Sequence, residues 1–144
     1  MIRYRQMTPE DVPVISKLEE EAFSMPWSPE DFRQMIEKED ARYYVAEEDG
    51  ELLGGCGVLL IVGEGNITNV VIKPEARNRG IGTGLLQYLI EEGYREGLNA
   101  FTLEVRVSNQ AAIHVYEKVG FVSEGVRPHF YEKPTEDALI MWKR

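Results

Sequence analysis

Hydrophobic positions along this chain change their period several times, and each change marks an element. IRYRQM, near the N-terminus, alternates apolar and polar residues as a strand does. Thr8 and Pro9 then predict a helix start, with Thr8 as N-cap and Pro9 at the first helical position, where a missing N–H costs nothing. Val12, Ile15, Leu18 and Ala22 supply the apolar stripe of that helix. Ser28 and Pro29 repeat the signal and open a second helix through Phe32, Met35 and Ile36. Between the two lies SMPWS, a proline-broken connection carrying an aromatic.

RYYVAEE and ELLGGCGVLLIV follow as strands, joined by Asp49-Gly50, a strong hairpin signal. A second glycine turn, GEG, returns the chain into NITNVVIKP, so these three strands predict an antiparallel meander. The loop ARNRGIGTG feeds a helix whose stripe is Leu85, Leu86, Leu89 and Ile90. FTLEVRV reads as a strand and SNQAAIHVYEKVG as a helix stopped by Gly120. FVSEGV and DALIMWK close the chain as strands. The order β-α-α-β-β-β-α-β-α-β-β predicts a mixed α/β protein, one sheet with helices on its faces.

Composition narrows this. At 144 residues, with no repeat, low-complexity segment or linker, residues 1–144 are expected to form one domain. Cys56, the only cysteine, excludes an internal disulfide, and its setting GGCGVLL reads as a packed strand. His114 and His129 stand far apart with no cysteine near either, so no metal site is expected. MIRYRQM lacks the apolar stretch of a signal peptide, and GVLLIV is too short to span a bilayer, so a cytoplasmic protein is expected. The net charge of −9 argues against broad nucleic-acid binding and suits a cationic partner or simple solubility.

Against that acidity, one stretch is basic. VVIKPEARNRGIGTGLL passes from a β-branched strand through a glycine-spaced loop into a helix. Such an arrangement binds phosphate, because successive backbone N–H groups and the helix dipole favour an anion there. Gly80 and Gly82 let the backbone approach a ligand, and Arg77 and Arg79 add charge at the mouth. The spacing Arg-x-x-Gly-x-Gly is neither a Walker loop nor a full dinucleotide fingerprint, and a glycine-rich turn is the alternative. A second constellation runs from Leu103 to Phe121. Leu103, Val105 and Val107 are expected to point inward, turning Glu104 and Arg106 to the other face. Asn109, Ala112 and Tyr116 share one helix face. Glu104 and Tyr116 then either face one cleft or are a solvated glutamate and a core tyrosine.

Together these segments resemble the GNAT family of N-acetyltransferases over essentially the whole chain. The loop is similar to that family's Q/R-x-x-G-x-G/A signature at Arg77, Gly80 and Gly82. FSMPWSPEDF, LEVRVSNQAAIHVYEKVGF and RPHFYEKPTEDALIM look like its RimI-type branch, the ribosomal-protein-alanine N-acetyltransferases. Departures are arginine at 77, where that branch often has glutamine, and a shortened loop around Glu132 to Thr135.

The resemblance implies the GNAT fold, a single mixed central sheet of roughly seven strands splayed between the fourth and fifth. It implies acetyl-CoA as acetyl donor, with its pyrophosphate on Arg77, Asn78, Arg79, Gly80, Ile81, Gly82 and Thr83. The pantetheine arm would run as a pseudo-strand along Val70, Val71 and Ile72, hydrogen-bonded by Asn109, with Lys118 toward the nucleotide end. Glu104 would be the general base and Tyr116 the acid for the leaving thiolate. The implied acceptor is a protein N-terminus, the N-terminal alanine of a small-subunit ribosomal protein, framed by Met25-Pro26-Trp27 and Arg127 to Tyr131. Another protein N-terminus, a lysine, a small amine, or acetyl-CoA sensing without turnover are the alternatives.

Overall fold

The computed structural model describes all of residues 1–144. Its elements are β1 (Ile2–Gln6), α1 (Val12–Ala22), α2 (Pro29–Glu37), β2 (Ala41–Glu48), β3 (Glu51–Ile61), β4 (Glu64–Ile72), α3 (Ile81–Arg95), β5 (Ala100–Arg106), α4 (Gln110–Lys118), β6 (Val122–Tyr131) and β7 (Glu136–Lys143). Seven strands form one sheet in the order β1-β2-β3-β4-β5-β7-β6. Only the β4–β5 pair is parallel, so the sheet is mixed, as expected.

Local chemistry accounts for most boundaries. Asp49 and Gly50 both take positive φ, 52° and 83°, and join Glu48 to its partner Glu51 as a type I′ turn requires. At α2, Ser28 Oγ accepts from the Asp31 N–H while the Asp31 carboxylate accepts from the Ser28 N–H, a reciprocal cap. Thr8 and Pro9 do open the first helical turn, with Thr8 as its N-cap, but α1 itself begins only at Val12. Pro9–Asp11 is a 3₁₀ turn, and the Asp11 carboxylate accepts from the Thr8 N–H and hydroxyl and from Arg5. The second hairpin also differs: it turns at Val62 and Gly63, one residue before the expected GEG, and Gly65 falls inside β4.

Helices cover both faces of the sheet. On one, Leu85, Leu86, Leu89 and Ile90 of α3 and Ile113 and Tyr116 of α4 pack over Leu53, Val58, Phe101 and Leu103. On the other, Val12, Ile15 and Leu18 of α1 join Phe32 and Met35 of α2 against Val45 and Val71. The stripe of α1 ends at Leu18, for Ala22 is exposed, and the next buried residues are Ser16 and Glu19. Val107 lies past the end of β5 and is 36% exposed, so Phe101, Leu103 and Val105 make the inward face instead.

The feature that shapes the centre is incomplete pairing. β4 and β5 pair only from Glu64–Asn66 to Ala100–Thr102. Beyond that, β4 runs on to Ile72 and β5 to Arg106 with no bond between them, and the sheet splays. β4 also bulges against β3 between Thr68 and Val71, where Asn69 takes φ 55°. Past the bulge the two strands crowd. A Cβ on Gly54 would lie 2.5 Å from the Val71 carbonyl oxygen and 2.8 Å from Ile72 Cδ1. Gly54→Ala should therefore lower stability by about 1–3 kcal/mol, the usual cost of overpacking. A urea midpoint equal to wild type would show that β3 and β4 part there freely.

Candidate active site

The loop after β4 is built to leave donors free. Pro74–Ala76 forms a 3₁₀ turn, and then Asn78 and Gly80 enter the left-handed region at φ 65° and 78°. The first bond of α3 is from the Gly84 N–H to the Gly80 carbonyl, 3.0 Å. None of the backbone N–H groups from Asn78 to Thr83 donates within the protein. Six consecutive donors at the positive end of a 15-residue helix make an anion cradle.

Packing does not demand glycine at position 82. A Cβ there would meet nothing nearer than Ile72 Cγ1 at 3.8 Å, an ordinary contact. The space beside it is open to a ligand, so the cradle fits a pyrophosphate. The two arginines differ. Arg79 is engaged by Glu48, with 2.9 and 3.0 Å contacts to the two carboxylate oxygens, whereas Arg77 is exposed and makes no ion pair. Ile81 is buried by its side chain and offers only its backbone.

Beyond the cradle lies the splay. Val71 is buried in the α1–α2 core, while Val70 and Ile72 pack against the other core. Their side chains are spent on packing, so what they present across the gap is backbone. An unpaired strand edge of this kind accepts an extended arm as an added strand.

On β5, Glu104 sits between buried Leu103 and Val105 and points to the opposite face with Thr102 and Arg106. Its carboxylate lies 3.9 Å from Arg127 of β6, a loose pair. The motif SN…Y…GF has a structural meaning of its own. Asn109 caps α4, its Oδ1 accepting from the Ala112 N–H at 3.2 Å, which leaves its amide NH₂ uncommitted within the protein. At the other end the Gly120 N–H bonds the Glu117 carbonyl and the Phe121 N–H bonds the Tyr116 carbonyl, a Schellman stop. Phe121 then packs edge-on against Tyr116, ring centroids 6.1 Å apart, and fixes the ring. Tyr116 is only 7% exposed, and burial pushes its hydroxyl well above the usual tyrosine range. Tyr131 links the two: burial and then the charge of Glu104 push it up to about 12, and it in turn acts on Tyr116.

Arg106 and Glu19 were not singled out from the sequence. Arg106 donates to the carbonyls of Glu132 and Pro134, pairs with Glu136 at 3.1 Å, and stacks 4.5 Å from the Tyr131 ring. It clamps the β6–β7 turn to the strand that carries Glu104. Only its position in LEVR hinted at this. Glu19 is fully buried, and burial raises it to about 7.

Met25 is 57% exposed, and Trp27 packs on Phe32 at 5.4 Å. His129, at φ 55°, donates its N–H to Asp137, and its side chain is exposed; His114 and Lys118 are exposed on α4. No group of three or more His, Cys, Asp or Glu stands ready for a metal, and no helix is long and apolar enough to cross a membrane.

A splayed mixed sheet with an anion cradle at the end of its fourth strand defines an acyl-CoA-type transferase site. Residues 12–121 match the Acetyltransferase (GNAT) family, and the chain belongs to it. The family uses acetyl-CoA as co-substrate. A Bacillus subtilis (strain 168) relative, provisionally named a [ribosomal protein bS18]-alanine N-acetyltransferase, is 37% identical over 96% of this chain and 92% of its own. The Escherichia coli (strain K12) [ribosomal protein bS18]-alanine N-acetyltransferase is 32% identical over 91% and 89%. The crystal structure of the Escherichia coli ribosomal-protein-S18-alanine N-acetyltransferase superposes with TM-score 0.90 at 29% identity, covering 99% of this chain and 93% of that one.

Gly82→Leu tests the cradle. It should weaken acetyl-CoA binding by roughly tenfold or more, the worth of one or two charge-assisted hydrogen bonds, with thermal stability nearly unchanged. Calorimetry showing wild-type affinity in a folded variant would remove the loop from the donor site.

Proposed function

We propose that this chain transfers the acetyl group of acetyl-CoA to the N-terminal α-amine of a protein, the acceptor being the N-terminal alanine of a small-subunit ribosomal protein. The observation that carries the reading is the β4–β5 splay, which ends at a cradle of unpartnered N–H groups. Relatives named for alanine acetylation of ribosomal protein bS18 support the acceptor. The net charge of −9 favours approach of a basic ribosomal N-terminus. Such an acceptor implies a cytoplasmic enzyme, with residues 1–144 acting as one catalytic unit.

In this reading the pyrophosphate rests on residues 77–83 and the pantetheine arm lies along Val70, Val71 and Ile72, with the Asn109 amide beside it. Backbone N–H groups near Val71 and Ile72 polarise the thioester carbonyl. An α-amine has a pKa of about 8, so much of it is protonated at neutral pH. Glu104 takes that proton through a water. The amine nitrogen then attacks the carbonyl carbon, the N–C bond forms, and the C–S bond breaks. Tyr116, held protonated by burial, gives its hydroxyl proton to the departing thiolate and is reprotonated by the second proton that the attacking nitrogen sheds, so that the amide and the CoA thiol are the products.

Incubation with acetyl-CoA, a library of N-terminal peptides, lysine peptides and polyamines tests the acceptor by mass spectrometry. Alanine-led peptides are expected to dominate; preference for a lysine or a polyamine would replace this acceptor.

Glu104→Gln should lower kcat/KM by roughly 10²–10⁴-fold at neutral pH, the usual worth of a general base. The loss should shrink toward pH 9, where the amine deprotonates unaided, and acetyl-CoA binding should hold. A pH-independent defect would assign Glu104 to substrate anchoring instead.

Tyr116→Phe keeps the ring against Phe121 and removes the hydroxyl. Turnover should fall with little change in donor affinity. Wild-type turnover would return Tyr116 to the core alone.

A further inference from the structure

Glu19 sits in the run LEEEA, where three acids in a row on a surface helix read as solvated. Yet its side chain is wholly buried. One carboxylate oxygen, Oε1, accepts from the Trp27 N–H at 2.9 Å and from Asn69 Nδ2 at 2.6 Å. The other, Oε2, is buried with no partner. No cation offsets the charge. The charged group acting on it is Asp31 of α2, itself acidic, and Glu19 in turn acts on Tyr43 of β2; β4 contributes only the polar Thr68 and Asn69.

A buried carboxylate without a counter-charge is costly, and an apolar side chain of its size is commonly as stable or more so. Stability alone does not explain the acid. Its two partners do. Trp27 lies in the irregular α1–α2 connection, and its backbone is tied down there by Glu19. Asn69 is the bulge residue of β4, one position before Val70, in the left-handed region. The residue is held from three sides: the Thr68 hydroxyl donates to its Oδ1, the Tyr43 hydroxyl to its backbone carbonyl at 3.4 Å, and its side-chain NH₂ donates to Glu19. A single oxygen atom therefore joins the segment beside the acceptor to the strand beside the thioester.

We infer that Glu19 is a positioning residue that sets the α1–α2 connection in register with the β4 bulge, so that the acceptor amine meets the acetyl carbonyl. The inference rests on the donor and acceptor sides proposed above. It does not require Glu19 to touch either substrate.

Two variants test it. Glu19→Met fills the space and removes both hydrogen bonds; Glu19→Gln keeps an acceptor oxygen for Trp27 and Asn69 without the charge. With an alanine-led peptide, the Met variant should lose about tenfold or more in kcat/KM, as loss of two buried hydrogen bonds predicts, through both a higher peptide KM and a lower kcat. Its affinity for CoA should stay within about twofold, because the 77–83 cradle is not linked to Glu19, and Gln should restore most of the activity. Three results would overturn the inference: wild-type kinetics in the Met variant, equal losses in Met and Gln, or a loss of CoA affinity matching the loss of turnover. If the wild-type protein acetylates no N-terminal peptide, the function proposed above fails separately. The linkage is then read from amide hydrogen exchange, where Glu19→Met must speed exchange at residues 25–28 and 68–71 together. Faster exchange in one segment only, or in neither, would also overturn it.

Discussion

A strand in the middle of a sheet cannot leave its hydrogen-bonding edge empty without cost, because each buried N–H and carbonyl must find a partner. In this protein β4 and β5 sit at the centre of seven strands and part after three paired residues. Everything around the gap serves to hold it open. The bulge at Asn69 bends β4, the glycine at 54 lets β3 follow it closely, and α3 and α4 pack one core beneath both strands. The edge so created has backbone to offer and little else, since its side chains are committed to the two cores.

The polar groups near the gap are arranged as braces rather than as an exposed charged cleft. Arg106 holds the β6–β7 turn by its carbonyls and by the face of Tyr131. Asn109 and Gly120 cap α4 at its two ends, which keeps Tyr116 on the core side of the gap. Glu48 occupies Arg79, leaving Arg77 as the exposed guanidinium of the loop. Each brace ties a segment that regular structure does not secure to one that it does. In such a frame a single lost bond shifts geometry before it unfolds the protein.

Much of this was readable in the residues themselves. The order of elements follows from local rules: period-two and period-3.6 patterns, the Ser28-Pro29 cap, the Asp49-Gly50 turn and the Gly120 stop depend on neighbours in sequence, and all of them stand in the structure. The Arg77–Gly82 loop was readable for the same reason, since a strand, a left-handed glycine and a helix N-terminus are adjacent in the chain. What failed was a position where strand pairing decides. Val62 turned the second hairpin although β-branched residues resist positive φ, because the pairing of Ile61 with Glu64 left it no alternative.

Local residue patterns thus set which segments are helix and which are strand, the acidity of the chain, and the basic glycine loop that opens α3. It took the assembled fold to separate β4 and β5 after Asn66 and Thr102, to bury Glu19 against Trp27 and the distant Asn69, and to bring Arg106 to the far turn. The reason is physical. Periodicity and capping are short-range and leave a mark in adjacent residues, whereas a sheet's partners and a buried charge's environment are set by residues 50 or so positions away, here Glu19 and Asn69. A glutamate heading a run of three looks solvated until the fold brings an amide to meet it.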